Sequence, residues 1–412
     1  MGKLAKFLSA VAVLALTARV ALLMEPGLDY FSDAGGSIDA LVRRDFDGFF
    51  ASQPLMGSVS LLLRAPFVAA VFYSSESTVY LAGALPCVFA TLALGMALGR
   101  LAAERGASQA VQGIVTGLAV INPVTFRALH WGHPEELLTA ALCVGAVLAA
   151  LRNRQIVAAV LLGLALASKQ WAVLAVLPVL LAAEDRQLLI ASLAAGLAAA
   201  LTLPMYLSSP GAFETVAQSA AGRAAGGTWT TPWNLWWPIA EVMEPAGRGP
   251  TYVAPGWVGQ ISHPLIVAMG PLLAGLLWLR KDRRRDDALL LLALLFLLRC
   301  LLDQWNNDYY HAPFLASLLA WEVVRFGGVP YRTLGFTLLH ALSFFPQQTQ
   351  VFRGSFEHAS ILNALYLMWV LPFTAYLAAQ LLAPNAGRAA WLRPGPGFRG
   401  RAHPSPVPAD MR

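Results

Sequence analysis

The sequence predicts an all-α polytopic membrane protein, and three observations carry that prediction. Hydrophobic residues make up 57% of the 412-residue chain and charged residues only 13%, about half the charged share of a soluble domain. Apolar runs of roughly 20 residues recur along the chain, the length a helix needs to cross a bilayer. The basic residues gather in short clusters between those runs, as at Arg152–Arg154 and Arg280–Arg285, which marks cytoplasmic loops. Runs of period-2 alternation are absent, so a β-barrel is not expected. The net charge of +6 then reads as a topology signal and gives no reason to expect nucleic acid as a partner.

Taken in order, residues 5–24 form an uncleaved first helix, with Lys3 and Lys6 holding the N-terminus inside. A long outer loop follows, LDYFSDAGGSIDALVRRDFDGFF (28–50), with juxtamembrane helices expected within 28–77. The run 58–73 is short and carries Arg64 and Pro66. A central arginine is costly in a span, so this run is placed on the outer surface or dipping in.

Spans are expected at 78–99, 110–127 and 136–151. The run 156–183 is broken by Ser168-Lys169-Gln170 and reads as two short helices with Lys169 near their apex. Further spans are expected at 188–207, 262–279, 288–302, 313–326, 333–345 and 360–382, with a Trp-rich outer loop at 208–260. The total is about twelve transmembrane helices. Residues 1–383 then form one membrane domain, and 384–412 a basic, disordered cytoplasmic tail. Cys87, Cys143 and Cys300 sit in apolar runs and serve packing.

Sorting polar residues by side is informative. The basic loops carry nothing chemical. The outer face collects the aspartates of 28–50, the block FRALHWGHPEE (126–136), the Trp cluster and DQWNNDYYH (303–311). A site there is extracytoplasmic, where nucleotides are absent, so a group donor would be lipid-linked. Asp33 lies a few residues beyond the first helix and suits a general base. Asp45 and Asp47 form a DxD and are further catalytic candidates, although Asp39 and Asp45 equally suit helix starts. Trp305, Asn307, Tyr310 and His311 sit at a helix mouth, where polar groups mark a substrate path. Lys169 needs an acid or a phosphate as partner. Arg127, His130, His133 and Glu135 are candidates for binding sugar or phosphate. HxxH in a loop differs from HExxH on a helix, so no metal is expected. The acidic loop would nevertheless tolerate a divalent cation.

The stretch GHPEELLTAALCVGAVLAALRNRQIVAAVLLGLALASKQWAVLAVLPVLL (132–181) resembles the core of glycosyltransferase family 87. It runs from a polar helix start through a basic turn and a small-residue helix to Ala-x-x-Lys and a Pro-containing apolar helix. The resemblance implies the GT-C membrane fold and a polyprenol-phosphate-mannose-dependent α-mannosyltransferase activity. It also implies that Asp33 is the acidic base, that His311 contacts phosphate and that Lys169 is the core lysine. The sequence departs from the family pattern after Asp33, where Ala34-Gly35-Gly36-Ser37 replaces Asp-x-x-x-Tyr, and at Glu135-Glu136. The expected function is inverting transfer of a hexose, mannose in this reading, from a polyprenyl-phosphate to a lipid or glycan acceptor at a bacterial inner membrane. A transporter or lipid flippase is the alternative, against which stands the lack of repeated halves.

Overall fold

Small residues line the buried face of the central helix Pro134–Leu151, where Ala140, Ala141, Cys143, Val144, Ala146 and Val147 let neighbouring helices approach closely. Leucines of the helices around it fill the rest of the core. The computed structural model describes residues 28–52, 57–211, 213–214, 228–243, 251–344 and 355–383. The expected first helix and the tail lie outside the described residues.

The stretch read as an outer loop is helical almost throughout. Segments Leu28–Tyr30, the π-helical Phe31–Gly35 and Gly36–Arg43 run on as one helix, α1, and Phe46–Ala51 forms α2. The cause is spacing: Tyr30, Ala34 and Ile38 recur on one face and pack on Phe49, Leu61, Val68 and Tyr80. Helix α3, Ser58–Ala69, is too short to span and turns Arg64 fully inward.

Then come α4 (Glu76–Glu104), α5 (Gln109–Val120), α6 (Pro123–His130) and α7 (Pro134–Leu151). Serine and asparagine start three of these helices. Ser75, Ser108 and Asn122 accept from backbone N–H groups of the first turn. The broken run resolves as predicted, into α8 (Gln155–Leu166) and α9 (Gln170–Ala182, its first turn 3-10). Lys169 stands at the break in extended backbone. Gly57, at φ +71°, seats the start of α3 against the Ala167 and Ser168 carbonyls, where a Cβ would clash.

Helix α10 (Gln187–Ser208) leads into the Trp-rich region. There β1 (Thr228–Trp229), β2 (Glu241–Met243) and β3 (Thr251–Ala254) form an antiparallel sheet in the order β1-β3-β2. This small sheet is set into a fold that is otherwise helical among the described residues, as the all-α expectation has it. Short extended segments pair because Thr228↔Ala254 and Glu241↔Val253 come into register on the central strand. The chain closes with α11 (Gly256–Leu279), α12 (Asp287–Leu302), a 3-10 turn (Asp308–His311), α13 (Ala312–Phe326), α14 (Tyr331–Phe344) and α15 (Phe356–Leu382).

Among the described residues, 6 helical stretches are long and apolar enough to cross a membrane: 76–104, 109–130, 134–151, 187–208, 256–279 and 356–382. The expected total of about twelve is not met by that measure. Several apolar runs instead make shorter helices, as in α12, α13 and α14. Helices α7, α12 and α13 form the centre. Leu289–Leu297 of α12 is entirely buried, so α12 is surrounded by protein.

Candidate functional site

One cavity of about 330 Å³ gathers polar residues from distant parts of the chain. Asp33, His133, Glu136, Lys169, Trp171, Arg299, Asp303 and Tyr310 line it, with His263 and the apolar Val173, Leu174, Ile266 and Val267. Five parts of the chain contribute: α1, the start of α7, the break between α8 and α9, the middle of α11, and the end of α12 with the turn beyond it.

Asp33 stands in the π-helical turn of α1, partly exposed, and accepts from Ser32 Oγ at 2.9 Å. π turns inside helices are rare and concentrate at functional sites. The turn before α7 is held against α1 by Gly132. At φ +86° it presses so closely on Tyr30 that a Cβ would stand 2.5 Å from the Tyr30 nitrogen.

Next to Gly132, His133 bridges two carboxylates, Nε2 to Asp29 at 3.3 Å and Nδ1 to Glu135 at 2.9 Å. Its ring stacks on Tyr309. Burial disfavours the charged imidazolium, but the bonds to Asp29 and Glu135 outweigh it and hold His133 at about 9. His133 is therefore cationic at neutral pH. A folded pKa raised from about 6.5 stabilises fully below pH 6.5, and that contribution fades as pH rises through 9. The scale is ~3 kcal/mol. Thermal unfolding of the purified protein between pH 6.5 and 9.5 is expected to show falling stability, with a flatter profile in His133→Gln. Equal slopes for the two would refute the assignment.

Beneath the cavity runs a ladder of buried charge. Glu135 receives Lys169 Nζ at 3.0 Å and Arg64 Nη1 at 3.5 Å. Glu136 receives Lys169 at 3.4 Å, the Trp171 indole N–H at 3.2 Å and, more distantly, Arg299 at 3.9 Å. The Arg64 guanidinium also lies over the Tyr30 ring, and that of Arg299 over Tyr310 and Trp171. Arg299 Nη1 has no hydrogen-bond partner among the described residues.

Of the residues singled out from the sequence, Asp33, Lys169, His133 and Tyr310 line the cavity, and Glu135 lies beneath it, holding Lys169 and His133. The others do not line it. Asp45 caps α2 by accepting from Gly48 N, and Asp47 is exposed in the first turn of that helix. Asp39 is paired with Arg43 one turn on.

Arg127 is committed to buried Asp308. His130, on the same helix α6, packs edge-on against Trp131. Trp305 lies near Trp229, and Asn307 donates to the Tyr309 hydroxyl. His311 is enclosed by Phe336, His340, Phe344 and Tyr366. Burial pushes it down to about 3, so it is neutral and unsuited to balancing phosphate charge.

Sequence reasoning missed Arg299, His263 and Trp171 as wall residues and took Asp303 only as part of the segment 303–311. The signal for Arg299 was present, since it is the lone cation in the run LLLLALLFLLRCLLD (289–303). Among the described residues no group of three His, Cys, Asp or Glu is placed to hold a metal ion.

A polar cavity among apolar helices, with carboxylates and cations on its walls, is a candidate reaction site in a multi-pass membrane protein. The model of glycosyltransferase family 87 matches residues 59–302, more than half of the chain, and the protein belongs to that family. It is a glycosyltransferase in a membrane. The matched segment includes Glu135, Glu136, Lys169 and Arg299, whereas Asp33 and Tyr310 lie outside it. A comparison with curated proteins finds no match.

Proposed function

We propose that the protein transfers a hexose, mannose in the first instance, from a polyprenyl-phosphate donor to an extracytoplasmic lipid or glycan acceptor, with inversion. The observation that carries this reading is the placement of Asp33, Lys169 and Arg299 on the walls of one cavity. Lys169 and Arg299 are both cations on this wall, and Arg299 Nη1 makes no hydrogen bond among the described residues, which leaves a donor for an anion. Val173 and Val267 line the same cavity and are exposed on the protein surface. An apolar flank of that kind suits a prenyl chain entering sideways from lipid.

In this mechanism the donor phosphate sits on Lys169 and Arg299. Asp33 takes the proton of the acceptor hydroxyl. The acceptor oxygen bonds to the anomeric carbon as the bond from that carbon to the phosphate oxygen breaks. The electron pair leaves on the phosphate, and the configuration inverts. Charge grows on the phosphate in the transition state, where buried cations that need no reorganisation contribute most. The chain's own side chains suffice for these steps in this reading, so no metal is invoked. Inversion needs Asp33 and the phosphate on opposite sides of the sugar. In this reading the cavity opens on the outer side of a bacterial inner membrane, which the basic clusters at the other ends of the helices support.

The transporter alternative fits less well. Below the ladder, Leu137, Leu138, Ala140 and Val144 of α7 are all buried, and the cavity beside Leu137 and Ala140 is only about 30 Å³, whereas a transporter needs groups reachable from both sides.

The test is sugar transfer by purified protein supplied with polyprenyl-phosphate-mannose or with a nucleotide-linked mannose. Turnover is expected only with the lipid-linked donor, and the product anomer should be opposite to that of the donor. Arg299→Gln should then lower kcat/KM by on the order of 10²-fold. Turnover with the nucleotide donor alone, or retention of configuration, would overturn the reading.

A further inference from the structure

A second polar cavity, of about 260 Å³, lies at the other end of the bundle. Its walls include Arg283, Arg284 and Arg285 between α11 and α12, and Glu184 and Gln187 around the start of α10. The two cavities are separated by the length of α7. Glu136 at its start lines the first, and the Ala150 carbonyl near its end accepts from Arg285 beside the second. That separation is roughly 20 Å at about 1.5 Å per residue.

The three arginines are not equivalent. Arg285 is a structural staple. It donates to the carbonyls of Ala182 and Ala150 and to Asn153, and pairs with Glu184 at 3.1 Å. Arg284 pairs with Asp286 at 2.9 Å, and Asp286 is also shared with Arg325. Arg283 donates to the Trp278 carbonyl and lies over its ring. It has no carboxylate within ion-pair distance among the described residues. The cavity wall thus carries three arginines and one glutamate, with Asp286 beside Arg284 and no carboxylate on Arg283 among the described residues.

The rim has the opposite character. Trp278, Leu279, Leu188 and Leu189 are exposed apolar side chains on the membrane helices that end here. A basic cavity with an apolar rim has two-part chemistry, an anion seat and a surface for acyl chains. Basic pockets between membrane helices on the positive-inside face are where acidic headgroups dock, and an exposed tryptophan suits headgroup depth.

We propose that this cavity binds the phosphodiester headgroup of an anionic phospholipid, with Arg283 and Arg284 on the phosphate and Trp278, Leu279 and Leu188 against the glycerol and upper acyl chains. The site is independent of the sugar-transfer cavity and takes a structural lipid from the opposite leaflet.

The experiment is native mass spectrometry of delipidated, detergent-purified protein titrated with phosphatidylglycerol, phosphatidylcholine or inorganic phosphate. Wild type should retain phosphatidylglycerol well above phosphatidylcholine, and inorganic phosphate should not displace it at equal concentration. Arg283→Gln with Arg284→Gln should weaken phosphatidylglycerol retention about thirtyfold, taking about 1 kcal/mol for each basic residue. Arg283→Lys with Arg284→Lys, which keeps both charges, should stay within about threefold of wild type.

Equal retention of phosphatidylcholine would overturn the proposal, as would displacement by inorganic phosphate or an unchanged glutamine pair. If the glutamine pair fails to fold, raising salt on wild type decides. Phosphatidylglycerol retention that does not fall as the charges are screened would equally overturn it.

Discussion

Replacing Asp33 by asparagine should cut sugar transfer by on the order of 10²- to 10⁴-fold, the range for removing a positioned general base. Donor binding should stay within a few-fold of wild type. The separation of the two effects is the point of the experiment. Asparagine keeps the size of aspartate and can still accept from Ser32 Oγ, the bond Asp33 makes in the structure, so α1 and its π turn should persist. The donor phosphate is assigned to Lys169 and Arg299, and neither is paired with Asp33. Loss of kcat without loss of donor affinity would therefore locate the effect in the proton transfer. Asp45→Asn and Asp47→Asn are the controls. Asp45 accepts from Gly48 N at the start of α2, and asparagine is an equally good cap, so stability and activity should both hold. Asp47 is exposed, so its replacement should be silent. If Asp33→Asn keeps its activity while Asp45→Asn or Asp47→Asn loses it, the base has been misassigned.

How far the sequence foretold this arrangement depends on the kind of evidence each residue offered. The break at Ser168-Lys169 was legible because a lysine inside an apolar run of that length is too costly to leave in a span. The structure shows Lys169 at a change of helix, held by Glu135 and Glu136. Membrane segments were legible from hydropathy alone, whereas the short helices around α12 were not separable from spans, because burial by protein and burial by lipid ask for the same residues.

Direction was what spacing left open. The nine residues of DQWNNDYYH looked like one polar patch, yet the turn divides them. Asp303 and Tyr310 face the cavity, while Asn306, Asp308 and His311 turn into packing against Trp233, Arg127 and Tyr366. Arg299 carried a signal, but as one cation in a run of leucines it was absorbed into a span. Its meaning needed Glu136, Trp171 and Tyr310 around it, and they come from three other parts of the chain. The aspartates of 28–50 were counted as loop residues. Only the recurrence of Tyr30, Ala34 and Ile38 on one face shows that they ride on a helix, which places Asp33 in the cavity and leaves Asp39 to pair with Arg43.

The largest loss of stability is expected from Glu135→Gln. Glu135 is fully buried and shared by three partners, Lys169, His133 and Arg64. The amide is nearly isosteric, so packing is preserved and the change is almost purely one of charge. It leaves Arg64 buried over Tyr30 with no carboxylate within ion-pair distance, and Lys169 with Glu136 alone. Removing one partner of a buried ion pair costs about 3–5 kcal/mol, which corresponds to a drop in Tm on the order of 10 °C.

Arg64→Met should cost less, because Glu135 would retain Lys169 and His133. Combining the two substitutions should recover part of the loss, since the stranded guanidinium is then gone. That non-additivity, read from thermal unfolding of the four proteins, measures the Arg64–Glu135 coupling directly. Strictly additive losses would mean that Arg64 is held by the Tyr30 ring instead of by Glu135. The same variants separate architecture from catalysis. Glu135→Gln should impair donor binding through a displaced Lys169 even below its lowered Tm, whereas Arg64→Met, which leaves the Glu135–Lys169 pair intact, should bind donor as wild type does.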